Sequence, residues 1–412
     1  MIGRPRILLV KPILPYPPDQ GTRVVSMAII EALAGEYDVT VLARVLGAGE
    51  AELARELETK GVRVVTIFPR NRRSAPGRVA YRAAYIARSW LTGRSMKSLY
   101  DCPGAFRRAA RALALESFDL VILEYWQLYP LLDIFDPVAT VLLTHDIDVL
   151  VNGQRALLEE NLLAKAAALR RWRTERGEEV RAYRRARHIW ALTSRDADVA
   201  RKLSGNRAQT SVLPFGLRET QFAPVAGARS SREVLFLGAL GAAFNRDALA
   251  YFAHDIHPLL STIEGIRFTV VGGALPKALA FFGALRNVEA AGHAREVSPF
   301  FARCACLVVP LRYGGGLRIR ILEAIAAGLP VVASPVAIEG MALEPGRHVL
   351  LAATPAEYRV QIDRLLSDPS FALSMARTAQ DHVRGVYGPN ARTAGIRGAV
   401  RDLLPKGSPA RP

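Results

Sequence analysis

The sequence predicts an α/β protein of two doubly wound parallel-sheet domains in tandem. Three observations carry that reading. Short apolar runs without in–out alternation recur along the whole chain, as in strands buried on both faces of a parallel sheet. Helical patterns separate these runs, so consecutive strands are joined by crossovers. The series is interrupted once, by a polar segment carrying Pro, Gly and Ser near 217–231. At 412 residues the chain is too long for one ordinary domain.

Taken in order, RILLVKP (6–12) reads as the first strand and 22–35 as the helix after it. VTVLAR (39–44), VRVVTIF (62–68), DLVILE (119–124), TVLLTHD (140–146) and HIWALTS (188–194) continue the series. The stretch 152–187 reads as one long charged helix or a helix pair. After the boundary come VLFLGAL (234–240), FTVVGG (268–273), VEAAGH (288–293), CLVVPL (306–311) and PVVAS (330–334). Helices near 354–367 and 370–386 close the second domain. The expected domains are 1–217 and 218–388; a helix over 389–404 is placed against the first domain, and the Pro/Gly/Ser-rich tail 405–412 is expected to be disordered.

Composition narrows the function classes. Cys102, Cys304 and Cys306 are too few for a disulfide framework and read as small buried hydrophobes, which fits a reducing cytoplasm. The N-terminal apolar run is too short for a signal peptide, and no window reaches the roughly 18 apolar residues of a membrane span. The 55 Lys and Arg against 38 Asp and Glu leave a net charge of +17, which favours anionic partners. The excess is concentrated in 70–111, with eleven basic residues and one acid, and in 155–187, with ten and five. These stretches read either as solvated helix faces or as a surface for anionic lipid. Nucleic acid is not expected, because no recognition motif or stacking platform accompanies the charge.

In open α/β sheets ligands bind beyond the carboxyl ends of the strands, so the loops there are the candidate sites. Gly21, after the first strand, would admit a ligand close to backbone amides at a helix start; it reads equally as an ordinary loop glycine. His145 ends the strand at 140–146 and is followed by a D-x-D, Asp146 to Asp148. A histidine on such an apolar strand is more often a satisfied core residue than a catalytic one, and a lone D-x-D is a weak metal signal. In the second domain Gly238, Gly241, Asn245 and Arg246 lie in one loop and its helix, and Gly272–Gly273 and Gly292–His293 end the next two strands. Glycines at successive strand ends point to backbone approaching one shared ligand.

The richest stretch is RYGGGLRIRILEAIAAGLPVVAS, 312–334. Gly314, Gly315 and Gly316 precede a helix expected to begin near Leu317, so free amides would face an oxyanion at the positive helix end. Helical spacing puts Gly316, Arg320 and Glu323 on one stripe, with Arg318 near enough to reach a phosphate. Glu323 reads either as the partner of Arg320 or as an acceptor for the ribose hydroxyls of a nucleotide whose diphosphate sits on the glycines and arginines.

At these residues the chain resembles nucleotide-sugar-dependent glycosyltransferases of family 4. The resemblance runs through PPDQGTR, FDLVILEYWQ, LLTHDID, HIWALTSRDADVARKL, VLPFGL and the stretch just quoted, in the family's order. It implies the GT-B architecture, two Rossmann-like domains facing each other across a cleft, and retaining transfer of a sugar from a nucleoside diphosphate to a glycan or lipid-linked acceptor. No cofactor or metal is expected. By the resemblance Glu323 holds the ribose, His145 contacts the transferred sugar, Gly21 lies near the diphosphate, and Gly238 with its loop flanks the donor phosphates. Three departures stand out. Gly315 replaces the first glutamate of the family's Glu-x7-Glu motif, Pro214-Phe215-Gly216 replaces Pro-Asn-Gly, and Arg246 is the only basic residue near the loop that usually holds Arg and Lys. Two other readings share the architecture: a sugar-nucleotide 2-epimerase, and a nucleotide-sugar-binding relative of weakened activity. The expected setting is the cytoplasm, at the inner face of the cell membrane, in envelope or exopolysaccharide synthesis.

Overall fold

The strands form two separate parallel sheets, one in each of two units: Met1–Phe215 with Arg392–Pro412, and Gly216–Ala391. The structure is a computed structural model that describes residues 4–45, 47–68, 75–136, 138–225, 227, 231–273, 283–294 and 296–404, with the backbone alone at 48 and 75–82. The tail 405–412 and the basic residues Arg70, Arg72 and Arg73 lie outside the described residues, as do the side chains of Arg78 and Arg82.

The first unit holds seven strands: β1 (Arg6–Lys11), β2 (Asp38–Arg44), β3 (Arg63–Ile67), β4 (Leu120–Glu124), β5 (Ala139–Thr144), β6 (His188–Ala191) and β7 (Gln209–Val212). They are ordered β3-β2-β1-β4-β5-β6-β7, all parallel. The central strands are apolar because both faces are covered: Leu8, Val10, Val121, Leu123 and Leu142 are all inaccessible to solvent. The expected helix after β1 is present as Gly21–Leu33. The stretch read as a helix or helix pair is a hairpin, Asp148–Leu158 and Leu162–Arg185. The chain returns to this unit at its end: Arg392 pairs with Glu31, Arg397 donates to the Ala32 carbonyl and Arg401 pairs with Glu36.

The second unit holds β8 (Glu233–Leu237), β9 (Arg267–Val271), β10 (Val288–Gly292), β11 (Cys306–Val309), β12 (Val331–Ala333) and β13 (Leu350–Leu351), ordered β10-β9-β8-β11-β12-β13. Both sheets therefore reverse direction beside their first strand, between β1 and β4 in one and between β8 and β11 in the other. Those reversals open the crevice in which such sheets bind ligands. Cys102, Cys304 and Cys306 are buried, and burial pushes the thiols of Cys102 and Cys306 up to about 12.

Candidate functional site

In the second unit the glycines gather at the carboxyl ends of β8, β9 and β11. Gly238 follows β8 and donates its N–H to the Val271 carbonyl at the end of β9. Gly272 follows β9, so close that a Cβ there would sit 1.9 Å from the Gly238 oxygen. Only a residue without a side chain lets the two strand ends approach so closely.

The loop after β11 is built around Arg318. A Cβ on Gly314 would fall 2.0 Å from Arg318 Nη2, and Gly314 and Gly316 have φ of +157° and +69°. The expected helix begins at Ile319 rather than near Leu317, and Arg318 is its N-cap. Gly316 therefore does not share a helical stripe with Arg320 and Glu323: its left-handed backbone turns the chain into the helix instead. The Arg318 guanidinium lies 5.0 Å from the centroid of the Phe244 ring, joining the helix after β11 to the helix after β8, Ala243–Tyr251. Neither helix has a side-chain cap at its N-terminus, and the same is true of Gly21–Leu33 after β1. Thr193 and Thr354 cap helices elsewhere, while Ala48–Glu58 and Gly104–Ala114 also lack a side-chain cap. In the helix after β11 the Ile319 and Ile321 amides already donate to the Leu317 and Arg318 carbonyls, so an anion there would rest on the positive helix end and the glycine loop rather than on a full set of free amides.

Glu323 is buried and meets two partners. Arg320 Nη1 donates to one carboxylate oxygen at 2.6 Å, and Gln221 Nε2 donates to the other at 3.1 Å. The Arg320 pair is thus present, while Gln221 comes from the segment read as a linker. Asn245 and Arg246 brace the loop after β8. Asn245 Nδ2 donates to the Ala239 carbonyl at 3.0 Å, and Arg246 Nη1 donates to the Leu240 and Gly241 carbonyls at 2.9 and 2.6 Å. Their polar atoms are directed at backbone. His293, just past β10, is exposed.

The first unit carries a buried polar cluster at its own reversal point. Lys11 ends β1, Glu124 ends β4 and His145 follows β5 directly. Lys11 Nζ lies 2.6 Å from Glu124 Oε2, and also donates to Ser26 Oγ at 2.6 Å and to the Thr22 carbonyl at 3.0 Å. His145 Nε2 lies 2.8 Å from the same Glu124 oxygen, and the His145 ring rests on Tyr125 at a centroid distance of 4.7 Å. Burial drives the Glu124 carboxyl upward, but the Lys11 ammonium and the hydrogen bond from His145 outweigh it and hold it at about 2. Burial also lowers the pKa of Lys11 and of His145. Neutral His145 therefore gives its Nε2–H to Glu124 and leaves Nδ1 with a lone pair. Nδ1 of His145 and Oε1 of Glu124 are buried with no hydrogen-bond partner among the described residues.

Asp148, the second acid of the D-x-D, serves the fold. Asp148 accepts from Trp126 Nε1 at 2.6 Å and pairs with Lys97. The amides of Asp148 and Val149 donate to Glu179 at 3.0 and 2.7 Å, so a carboxylate from the partner helix caps this one. Among the described residues no group of three or more His, Cys, Asp or Glu could hold a metal ion.

Residues 231–368 match the family model of group 1 glycosyl transferases. No curated protein matches the sequence. Solved structures share the fold at low identity. Sucrose-phosphate synthase from Thermosynechococcus elongatus is 16% identical with a TM-score of 0.71, over 97% of this chain and 99% of that one. HepE from Anabaena in complex with UDP-glucose is 15% identical with a TM-score of 0.67, over 96% and 99%. A TarM variant from S. aureus in complex with fondaparinux, alpha-GlcNAc-glycerol and UDP is 10% identical with a TM-score of 0.69, over 98% and 100%. The fold is therefore that of GT-B glycosyltransferases, and the stretch that matches the group 1 model lies within the second unit.

Proposed function

We propose that the chain is a retaining glycosyltransferase that moves a sugar from a nucleoside diphosphate to a hydroxyl of a glycan or lipid-linked acceptor at the inner face of the cell membrane, in envelope or exopolysaccharide synthesis. The observation that carries the reading is the buried Glu323 beside the glycine loop that encloses Arg318, inside the stretch that matches the group 1 model. A carboxylate there accepts from the two ribose hydroxyls, which compete with Arg320 and Gln221 for its oxygens. The diphosphate lies on Gly314–Gly316 at the positive end of the helix that follows, with Arg318 and Arg320 as counter-charges. Negative charge grows on the leaving diphosphate in the transition state, where fixed amides and guanidinium groups stabilise it. These groups supply the neutralisation without a metal.

His145 acts from the first unit in this reading. Glu124 fixes its tautomer, and the Nδ1 lone pair accepts from a hydroxyl of the transferred sugar. Asn245 and Arg246 shape the phosphate loop through its carbonyls, and Gly21 leaves the start of its helix open. UDP-sugars are the first donors to examine, since HepE and TarM structures hold UDP. The test is acceptor-dependent release of the nucleoside diphosphate. A mixed acceptor pool of lipid-linked and soluble glycans is supplied with UDP-glucose and UDP-GlcNAc, and the anomeric configuration of the product is read by proton NMR. Retention supports the reading and inversion contradicts it. Interconversion of the nucleotide sugar at C2 without transfer would assign an epimerase instead.

A further inference from the structure

The helical hairpin Asp148–Leu158 and Leu162–Arg185 ends in four leucines, three of them largely exposed and Leu158 partly so. Leu157, Leu162 and Leu163 are 76%, 82% and 85% exposed, and Leu158 stands beside them. Leu163 and Arg170 lie seven residues apart, on one face of the helix. There the Arg170 guanidinium sits 3.6 Å from the centroid of the Trp90 ring, and Trp90 and Leu91 are themselves exposed. The hairpin is firmly built. Trp172 Nε1 donates to the Val149 carbonyl at 2.8 Å, and a Cβ on Gly153 would already press on that indole at 3.1 Å. The apolar tip is thus held out by a rigid support.

The exposed charge along the hairpin is mostly basic. Of the five acids in 155–187, Glu175, Glu178 and Glu179 are buried. Glu175 accepts from Asn152 and Arg171, Glu178 from Ser95, Ser98 and Arg94, and Glu179 caps the neighbouring helix. Only Glu159 and Glu160, in the connecting turn, reach solvent, while Arg173, Arg176, Arg181, Arg184 and Arg185 are exposed. Between the two helices behind the leucines lies a groove of about 250 Å³, floored by Ala164, Ala167 and Ala168 and bordered by Arg155, Arg171 and Glu159. Apolar side chains at the tip, an indole at the edge and guanidinium groups behind match the layering of a bilayer interface: acyl chains, glycerol level and anionic phosphates.

We infer that this hairpin tip is a wedge that docks the chain on an anionic membrane, with Leu157, Leu158, Leu162 and Leu163 among the acyl chains, Trp90 at the interface and a lipid phosphate in the groove between Arg155 and Arg171. The occupant is a bilayer rather than a protein groove, because Arg155, Lys165, Arg170 and Arg171 lie within about three helical turns of the leucines, close enough to meet phosphates. The inference names the surface behind the membrane placement proposed above. It does not depend on transferase activity, since vesicle binding and nucleotide binding are separate measurements.

The test is co-sedimentation of the full chain with vesicles of phosphatidylcholine, with and without about one-third phosphatidylglycerol. The expected result is binding to the anionic vesicles only. The variant Leu157→Ser/Leu162→Ser/Leu163→Ser should then bind at least about tenfold more weakly, as expected from the apolar area withdrawn, with an unchanged melting temperature. A second variant, Leu162→Trp, should shift its fluorescence to the blue with anionic vesicles. Binding that is equal in the leucine variant, or equal on neutral vesicles, overturns the wedge. So does a dimer in sedimentation equilibrium that the leucine variant abolishes while the wild type ignores vesicles.

Discussion

Lys11 Nζ and Glu124 Oε2 lie 2.6 Å apart with both side chains completely buried, at the point where the first sheet reverses direction. Taking two charges out of water is expensive, and their attraction repays it only in company with further hydrogen bonds. Here Ser26 and His145 supply them. Removing one partner leaves an uncompensated buried charge, so Lys11→Met and Glu124→Leu should each destabilise the first unit by about 3–5 kcal/mol. The double variant should recover much of that loss. Urea denaturation followed by tryptophan fluorescence checks this; additive losses in the double variant would contradict it.

The same cluster sets a pH dependence. The Glu124 carboxyl is held at about 2 in the folded chain against an ordinary 4.5, and His145 is held below its ordinary 6.5. In each case the unfolded chain takes up the proton first on acidification. The stability contributed by both is complete above pH 6.5 and falls as pH falls, through His145 below 6.5 and through Glu124 between 4.5 and about 2. Thermal denaturation across this range should show His145→Phe with a flatter slope between pH 6.5 and 5 than wild type. Parallel curves would show that His145 takes no part.

Gly272→Ala and Gly314→Ala make equally short contacts but should behave differently. The added methyl at 272 meets the Gly238 carbonyl, which belongs to a strand end, whereas at 314 it meets the tip of a flexible arginine. Gly272→Ala should destabilise the second unit by at least about 2 kcal/mol, in the range of overpacked cores. Gly314→Ala should leave the fold almost intact, apart from backbone strain, and displace Arg318 instead, weakening diphosphate binding about tenfold, the loss expected for one charge-assisted hydrogen bond. Melting temperatures and UDP titrations of the two variants check the contrast, and equal melting temperatures would contradict it.

Much of this was legible in the amino-acid order, and what was not has physical causes. Strands such as 6–11 and 306–309 announce themselves because both faces are buried. β7, QTSV, is an edge strand with exposed polar residues and presents no apolar run, and β13 is two residues long. Glu323 and its glycine loop stand out because their spacing is local. The Lys11–Glu124–His145 cluster does not, because it joins the ends of three strands far apart in sequence. Its one local sign is a charged residue closing each of two buried strands, in RILLVK and LVILE. Gln221 is hidden in a segment whose composition reads as a linker. The basic character of 155–187 is stronger on the surface than in the count, because burial removes acids and leaves the arginines outside.

Glu179 separates hydrogen bonding from charge. Burial, and the neighbouring Asp148, push its carboxyl well above the usual range while it accepts from two amides and from Tyr183. Glu179→Gln keeps an acceptor for the helix amides and should cost less than about 1 kcal/mol, whereas Glu179→Ala strands them and should cost about 1–3 kcal/mol. Chemical denaturation of the pair checks this; equal losses would mean that the charge, not the cap, matters.

Calorimetric titration of UDP into the full chain and into Glu323→Ala tests the central claim most directly. If Glu323 receives the ribose, the wild type binds and the variant loses at least about tenfold in affinity, the equivalent of about 1.5–3 kcal/mol for hydrogen bonds to a charged group, while both melt at the same temperature. Equal affinity in the two chains, with both folded, would contradict it.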